Sequence, residues 1–233
     1  MSEDEPGPEA IPKWWAASDP PTGEWRERRR LASAMRRVIH RLVEVAPTEA
    51  FLAAAADELE QRADALDALA SVPRHAGVAE ASTGAVGVFR DLSPVLGHSN
   101  PLAPPVDVRV DGHRVLGSLR FLAGYEGPPG HAHGGLIAAA FDEVLGVAQS
   151  LSGRPGFTGT LRVRYRSPTP LGADLRIEAS LDRVEGRKIL TSGRLLHGAT
   201  LCAEAEGLFI SMSPGHFDEM RRRIHGGATD GTG

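Results

Sequence analysis

Apolar residues recur along this chain with two different periods, and the change between them falls near residue 106. Before it the period is helical. Leu31, Met35, Val38, Leu42 and Val45 stand three and four apart and form one stripe. Beyond Pro47-Thr48, Phe51, Leu52, Ala55, Leu59, Ala63, Leu66 and Leu69 repeat the spacing and stop before Pro73. Two helices separated by a short turn predict an antiparallel hairpin over residues 24–73. Residues 1–23 are acidic and proline-rich with no apolar period, a leader in which only Trp14 and Trp15 could dock. Residues 74–105, rich in Gly, Ser and Pro with one apolar piece at 86–89, read as a linker and lead-in.

From Val106 the period becomes two. Val106, Val108 and Val110 alternate with polar residues, Asp111-Gly112 is a turn dipeptide, and Val115, Leu116, Leu119 and Phe121 follow. This predicts a hairpin over 106–122. The glycine-rich loop GYEGPPGHAHGG leads into an apolar run, 136–151, in which Ile137, Ala140, Phe141, Val144, Ala148 and Leu151 share one helical face. Gly135, Ala138, Ala139, Asp142 and Gly146 form a neighbouring stripe of small residues and one acid. A helix apolar on most sides is a buried helix. Four alternating segments then predict strands at 158–167, 174–184, 188–197 and 200–211, with turns at Glu185-Gly186 and Gly198. The expectation is an α+β domain over 106–212, an antiparallel meander curved around one long helix, which is the hotdog architecture. A polar tail, 213–233, ends the chain.

Composition narrows the functional classes. The 233 residues carry a formal charge of −4, which argues against nucleic acid as the principal partner. No apolar run approaches the roughly 18 residues that would span a bilayer, and the acidic N-terminus lacks the pattern of a secretory signal. A single cysteine, Cys202, offers neither a disulfide pair nor a thiolate metal site and fits a reducing, cytoplasmic setting. The arginines at 26, 28, 29, 30, 36 and 37 read as a solvated helix face, with an anionic partner as the alternative.

The candidate chemistry is concentrated in HGGLIAAAFD, His133 to Asp142. Gly134 and Gly135 stand where loop becomes helix, so their amides lack internal acceptors and lie at the positive end of the helix dipole. Such donors suit a developing oxyanion. Asp142 lies about 10 Å further along the axis and interrupts an apolar stretch. Burial there should push its pKa up toward that of a useful general base. His131-x-His133 could suggest a metal, but no third ligand stands at a recognisable spacing.

These strings resemble a known family. GPPGHAHGGLIAAAFDEVLG, followed by TGTLRVRYRSPTPLG, is similar to the hotdog-fold acyl-CoA thioesterases of the phenylacetate-pathway type. It is nearer still to the subgroup of thioesterase superfamily members with GPPG before the HGG turn. SPVLGHSNPLAPP (93–105) resembles that subgroup's lead-in. The resemblance covers roughly residues 80–212, not the N-terminal helices. It implies that His133, Gly134 and Gly135 form the turn that polarises the thioester carbonyl. Asp142 would then activate water or attack directly, and Thr158 would help to orient the water. It also implies a homodimer or dimer of dimers with the site between subunits, Thr158 facing the partner's Asp142, and no metal or cofactor. Phenylacetate-type members carry an Asn six residues before the HGG histidine. Here that position is Gly127, and the GPPG subgroup also lacks the Asn, so the second oxyanion donor falls to His131 or His133.

The expected substrate is an acyl-coenzyme A, its chain lying along the helix near Leu136, Ala139 and Ala140. Arg166, Arg187 and Lys188 at strand ends and turns are candidates for the coenzyme phosphates. Two other readings are a hotdog hydratase or dehydratase using His133 and Asp142, and a non-catalytic acyl-CoA-binding module.

Overall fold

The structure is a computed structural model that describes residues 23–70, 91–154 and 156–211. Residues 1–22 of the expected leader, residues 74–90 of the expected linker and the polar tail lie outside the described residues. Helix α1 spans Gly23–Glu44 and α2 spans Glu49–Asp67. Strands β1 (Asp107–Asp111) and β2 (Arg114–Leu119) form the first hairpin, and a 3-10 turn at Ala123–Tyr125 precedes helix α3, Gly134–Ser150. Strands β3 (Gly156–Tyr165), β4 (Leu175–Glu185), β5 (Lys188–His197) and β6 (Thr200–Ser211) complete the domain. The turns fall on the predicted dipeptides, where Gly112, Gly186 and Gly198 adopt positive φ.

The six strands form one antiparallel sheet in the order β1-β2-β4-β5-β6-β3. Only β4, β5 and β6 run as the expected meander. Strand β3 follows α3 directly and pairs with β6 at the far edge, while β4 returns beside β2. The helix carries the chain across the concave face, so its two flanking strands end up on opposite sides.

Helix α3 buries Ile137, Ala140, Phe141, Val144, Leu145 and Ala148 against Val115, Ile177, Ile189, Leu195, Ala203 and Phe209 of the sheet. Contact is closest over Gly193 and Gly207, where an added Cβ would stand 3.2–3.3 Å from Leu145. The small-residue stripe of α3 is not wrapped: Ala138, Ala139, Asp142 and Gly146 are half-buried and Gly135 is exposed. The sheet therefore covers one face of the helix and leaves the face that carries Asp142 open.

Both N-terminal helices are present, but they do not close on each other within one chain. Helix α1 packs against the Ala123–Tyr125 turn, whereas α2 has no buried residue. His40 pins α1. Its Nδ1 accepts the Gly124 N–H at 3.0 Å, and its ring meets Tyr125 edge-on at 4.9 Å. Arg29 pairs with Asp91, and Arg36 donates to the carbonyls of Asn100 and His98. Burial holds the His40 pKa below its ordinary value, Arg36 acts in the same direction, and Glu44 opposes. The contribution of neutral His40 is therefore complete above its unfolded value of about 6.5 and is lost as pH falls through the depressed folded value. Amide protection at Gly124 and along α1, taken from exchange rates corrected for their intrinsic pH dependence, should fall as pH drops through the depressed His40 value in the wild type. Protection that does not change with acidification would remove His40 as the pin.

Candidate active site

The loop before α3 is tied at both ends by backbone bonds. Gly127 N–H donates to the His131 carbonyl (2.9 Å), Ala132 N–H to Thr169 (2.9 Å) and His133 N–H to Tyr125 (2.9 Å). Glu126 Oε1 accepts the Gly130 N–H at 2.6 Å. Gly127 packs so tightly that a Cβ there would lie 2.8 Å from His133 Cα. No side chain fits at this position, which gives a physical reason for the missing asparagine.

His133 is the N-cap of α3. Its Nδ1 accepts the Gly135 N–H at 3.0 Å. The expectation that both glycine amides stand open is thus corrected: the Gly135 donor is already satisfied. The Gly134 N–H has no acceptor among the described residues. Accepting through Nδ1 leaves the ring proton of neutral His133 on Nε2. His131 is the opposite case, because its Nδ1 donates to the Pro129 carbonyl (2.8 Å) and its neutral ring has an acceptor at Nε2.

Tyr165, at the end of β3, donates its hydroxyl to the Gly134 carbonyl at 2.7 Å. A Cβ on Gly134 would stand 3.2 Å from that ring. The sequence reading carried Tyr165 only inside a strand-end motif, and the structure gives it a place over the turn. Where the turn polarises a carbonyl, as the family resemblance implies, Tyr165→Phe should lower kcat several-fold and leave KM nearly unchanged. An equal loss in both would show general loosening of the loop instead.

Thr158 Oγ1 donates to Asp142 Oδ1 at 2.8 Å. The two residues belong to one chain, which corrects the expectation that Thr158 needs the partner subunit's Asp142. Asp142 is only half-buried, so the desolvation anticipated for it is incomplete in the single chain. The next residue, Glu143, takes that role. Burial pushes its carboxyl up, the Asp142 charge adds to this, and the Ser93 hydroxyl, donating at 3.2 Å, opposes it.

The remaining predicted residues separate. Leu136 and Ala139 are half-buried on or beside the open stripe, while Ala140, 1% exposed, belongs to the core and faces away from any ligand on that side. Arg166 follows Tyr165 near the helix N-terminus and pairs with Glu204. Arg187 and Lys188 lie at the β4–β5 turn, where Arg187 Nε donates to the Ser211 carbonyl at 3.2 Å. Ser211 pairs with Gly156 beside Gln149, at the C-terminal end of α3. Within one chain, Arg166 thus stands near the start of α3, and Arg187 and Lys188 stand near its end. A cleft of about 830 Å³ lies elsewhere, between α1 and the ends of β2 and β4.

A sequence model of the thioesterase superfamily matches residues 129–204, from the HGG loop into the first half of β6. The chain superposes on the crystal structure of a thioesterase superfamily protein with a TM-score of 0.68 and 34% identity, covering 82% of this chain and 97% of that one. The chain belongs to the thioesterase superfamily. Among curated relatives, the acyl-coenzyme A thioesterase THEM4 of Xenopus laevis is 37% identical over 91 residues, 38% of this chain and 41% of that protein. A putative esterase of Pseudomonas aeruginosa is 32% identical over 126 residues, 52% of this chain and 90% of that protein. The chain thus spans about two-fifths of the length of the THEM4 relative. The similarity to THEM4, and to human THEM5 at 33%, bears out the resemblance to the superfamily-member subgroup. Among the described residues, this thioesterase superfamily chain has no helix long and apolar enough to cross a membrane.

Proposed function

We propose that the chain hydrolyses an acyl-coenzyme A to the free acid and coenzyme A. The observation that carries this reading is the Thr158–Asp142 hydrogen bond on the open face of α3, in a chain whose helix begins with the HGG turn. Asp142 accepts a proton from a water that it holds together with Thr158. The water oxygen bonds to the thioester carbon. The carbonyl oxygen takes up negative charge at the Gly134 N–H and the His133 Nε2–H. Collapse of the tetrahedral species breaks the C–S bond, and the thiolate leaves and is protonated from solvent. Such polarising donors typically contribute 100- to 1,000-fold each.

The reading includes a homodimer or dimer of dimers with the site between subunits. Strand β3 is an edge of the sheet, ten residues long, with Phe157 and Tyr165 exposed, and such an edge is a template for pairing with another chain. Asp142 is eight residues beyond Gly134, about 12 Å along the axis. In that arrangement, which the family resemblance implies, the turn of one protomer serves the carboxylate of its partner. Leu136 and Ala139 would line the acyl chain, and Arg166 is the cation best placed for the coenzyme phosphates. A single buried cysteine, Cys202, suits a cytoplasmic setting.

An α,β-unsaturated acyl-CoA separates hydrolysis from hydration. Free thiol should appear in step with loss of the thioester absorbance. Loss of the enone absorbance with no thiol would overturn the reading in favour of a hydratase. Arg166→Glu should raise KM for the full CoA ester about tenfold and leave a truncated thioester unaffected. Equal effects on the two would remove Arg166 from the site.

A further inference from the structure

Helices α1 and α2 each carry an apolar seam that nothing in the described chain covers. On α1, Leu31 and Leu42 are 54% and 52% exposed, and Val45, just past its end, is 44% exposed; on α2, Leu52, Leu59 and Leu66 are 43%, 54% and 58% exposed. The opposite side of α1 is the anchored one, through Ala32, His40, Arg29 and Arg36. Both seams have the same period. Leu31, Val38 and Val45 repeat every seven residues with Met35 and Leu42 between them, and Leu52, Leu59 and Leu66 repeat every seven with Ala55 between. A heptad repeat is what one helix offers another in a coiled coil, and Ile39 and Val43, 39% and 63% exposed, widen the uncovered apolar face of α1 on one side.

The charges flanking the seams are complementary. Helix α1 carries seven arginines and three glutamates, with Arg29 and Arg36 on its anchored side and Arg26, Arg28, Arg30 and Arg41 paired with its own glutamates, whereas α2 carries six acids and one arginine. None of the α2 acids is in a salt bridge among the described residues. The two seams do not meet within the chain. The connection Val45–Thr48 has no regular structure: Pro47 biases Ala46 to extended backbone, and Thr48 is an extended N-cap (φ −71°, ψ 155°) whose Oγ1 accepts the Phe51 N–H.

We propose that α2 of one protomer packs along α1 of a second copy, reciprocally, so that the two-helix arms of two chains are exchanged. The pairing is isologous, as a two-fold axis requires, and each acidic helix lies beside a basic one. It is a second contact between copies, built on α1 beside β2 and β4 and away from the β3 edge, and it does not depend on the catalytic reading.

The sole cysteine, Cys202, is buried, so introduced thiols report cleanly. Full-length chains carrying Val38→Cys with one tag and Leu59→Cys with another are co-expressed, purified and mildly oxidised. The expected product is a mixed disulfide between the two differently tagged chains. It should form at least tenfold more abundantly than either like-with-like dimer, and Leu52→Glu/Leu66→Glu in the second chain should abolish it. A chain carrying both cysteines should likewise give chain-to-chain links. Closure of that double variant into an internally linked monomer would overturn the proposal in favour of a self-contained hairpin. Dominance of like-with-like links, or absence of any link, would also overturn it.

Discussion

Replacing Asp142 with Asn should lower kcat for acyl-CoA hydrolysis by about 100- to 10,000-fold, the range of general-base contributions. The fold should not suffer. Asp142 is half-buried on the open face of α3 and bonds only the Thr158 hydroxyl among the described residues, and an Asn side chain can accept that bond equally well. KM should change little, because the lost group acts on the attacking water rather than on the ester. Glu143→Gln is the matched control. Its carboxyl is already pushed toward the neutral form by burial, so an amide in its place should leave turnover within about twofold of the wild type while lying in the same turn of helix. The pair is read from steady-state kinetics with melting curves alongside. Full activity in Asp142→Asn, or collapse in Glu143→Gln with activity retained in the former, would exchange their roles.

The second large effect concerns a residue with no side chain. Installing Asn at 127 would restore what phenylacetate-type relatives carry at that place, and the naive expectation is a gain. The structure predicts the reverse. A Cβ at Gly127 stands 2.8 Å from His133 Cα, a backbone atom that cannot rotate away. The HGG turn must move, and with it the His133 N-cap and the Gly134 amide. A displacement near 1 Å at a reacting centre costs on the order of 100-fold. Gly127→Asn and Gly127→Ala should therefore lose activity alike, and more than Tyr165→Phe, which removes one hydrogen bond and leaves the backbone in place. Higher turnover in Gly127→Asn would show that the loop can admit a second side-chain donor.

Much of the domain was legible from hydrophobic period. Strands β5 and β6 fall at the predicted residues, and α3 differs from its predicted range by two residues at the start and one at the end. Period alone could not show that β3 lies beside β6 rather than β4, since alternation states which face a residue takes and nothing about which strand is its neighbour. The same limit applies to α3. An apolar helix was expected to be wrapped all round, yet the stripe of Gly135, Ala138, Ala139 and Asp142 is open because the sheet ends at β3.

The candidate site was legible as a motif and less so as a set of contacts. His133, Gly134, Asp142 and Thr158 stand where the HGG turn, the helix and the next strand place them. The hydrogen bonds among them were not readable: that His133 occupies the Gly135 amide, that Tyr165 holds the Gly134 carbonyl, and that Thr158 meets Asp142 in its own chain. Each depends on side-chain direction across elements far apart in sequence. Glu143 was passed over because it follows the more conspicuous Asp142, although its environment against Ser93 is the more desolvated. The arginine-rich α1 was read as a solvated face. Arg29 and Arg36 prove to be the anchors that dock the helix on residues 91–100.

The central claim is that the HGG turn and Asp142 hydrolyse a thioester, and free-thiol release tests it most directly. The full-length protein is given acyl-CoAs from short to long chain, with an aromatic member, and coenzyme A thiol is followed with a chromogenic disulfide. The account predicts release from at least one class of ester at enzymatic rates, lost in Asp142→Asn. Esters that bind without releasing thiol would contradict it and leave the chain as an acyl-CoA-binding member of its superfamily.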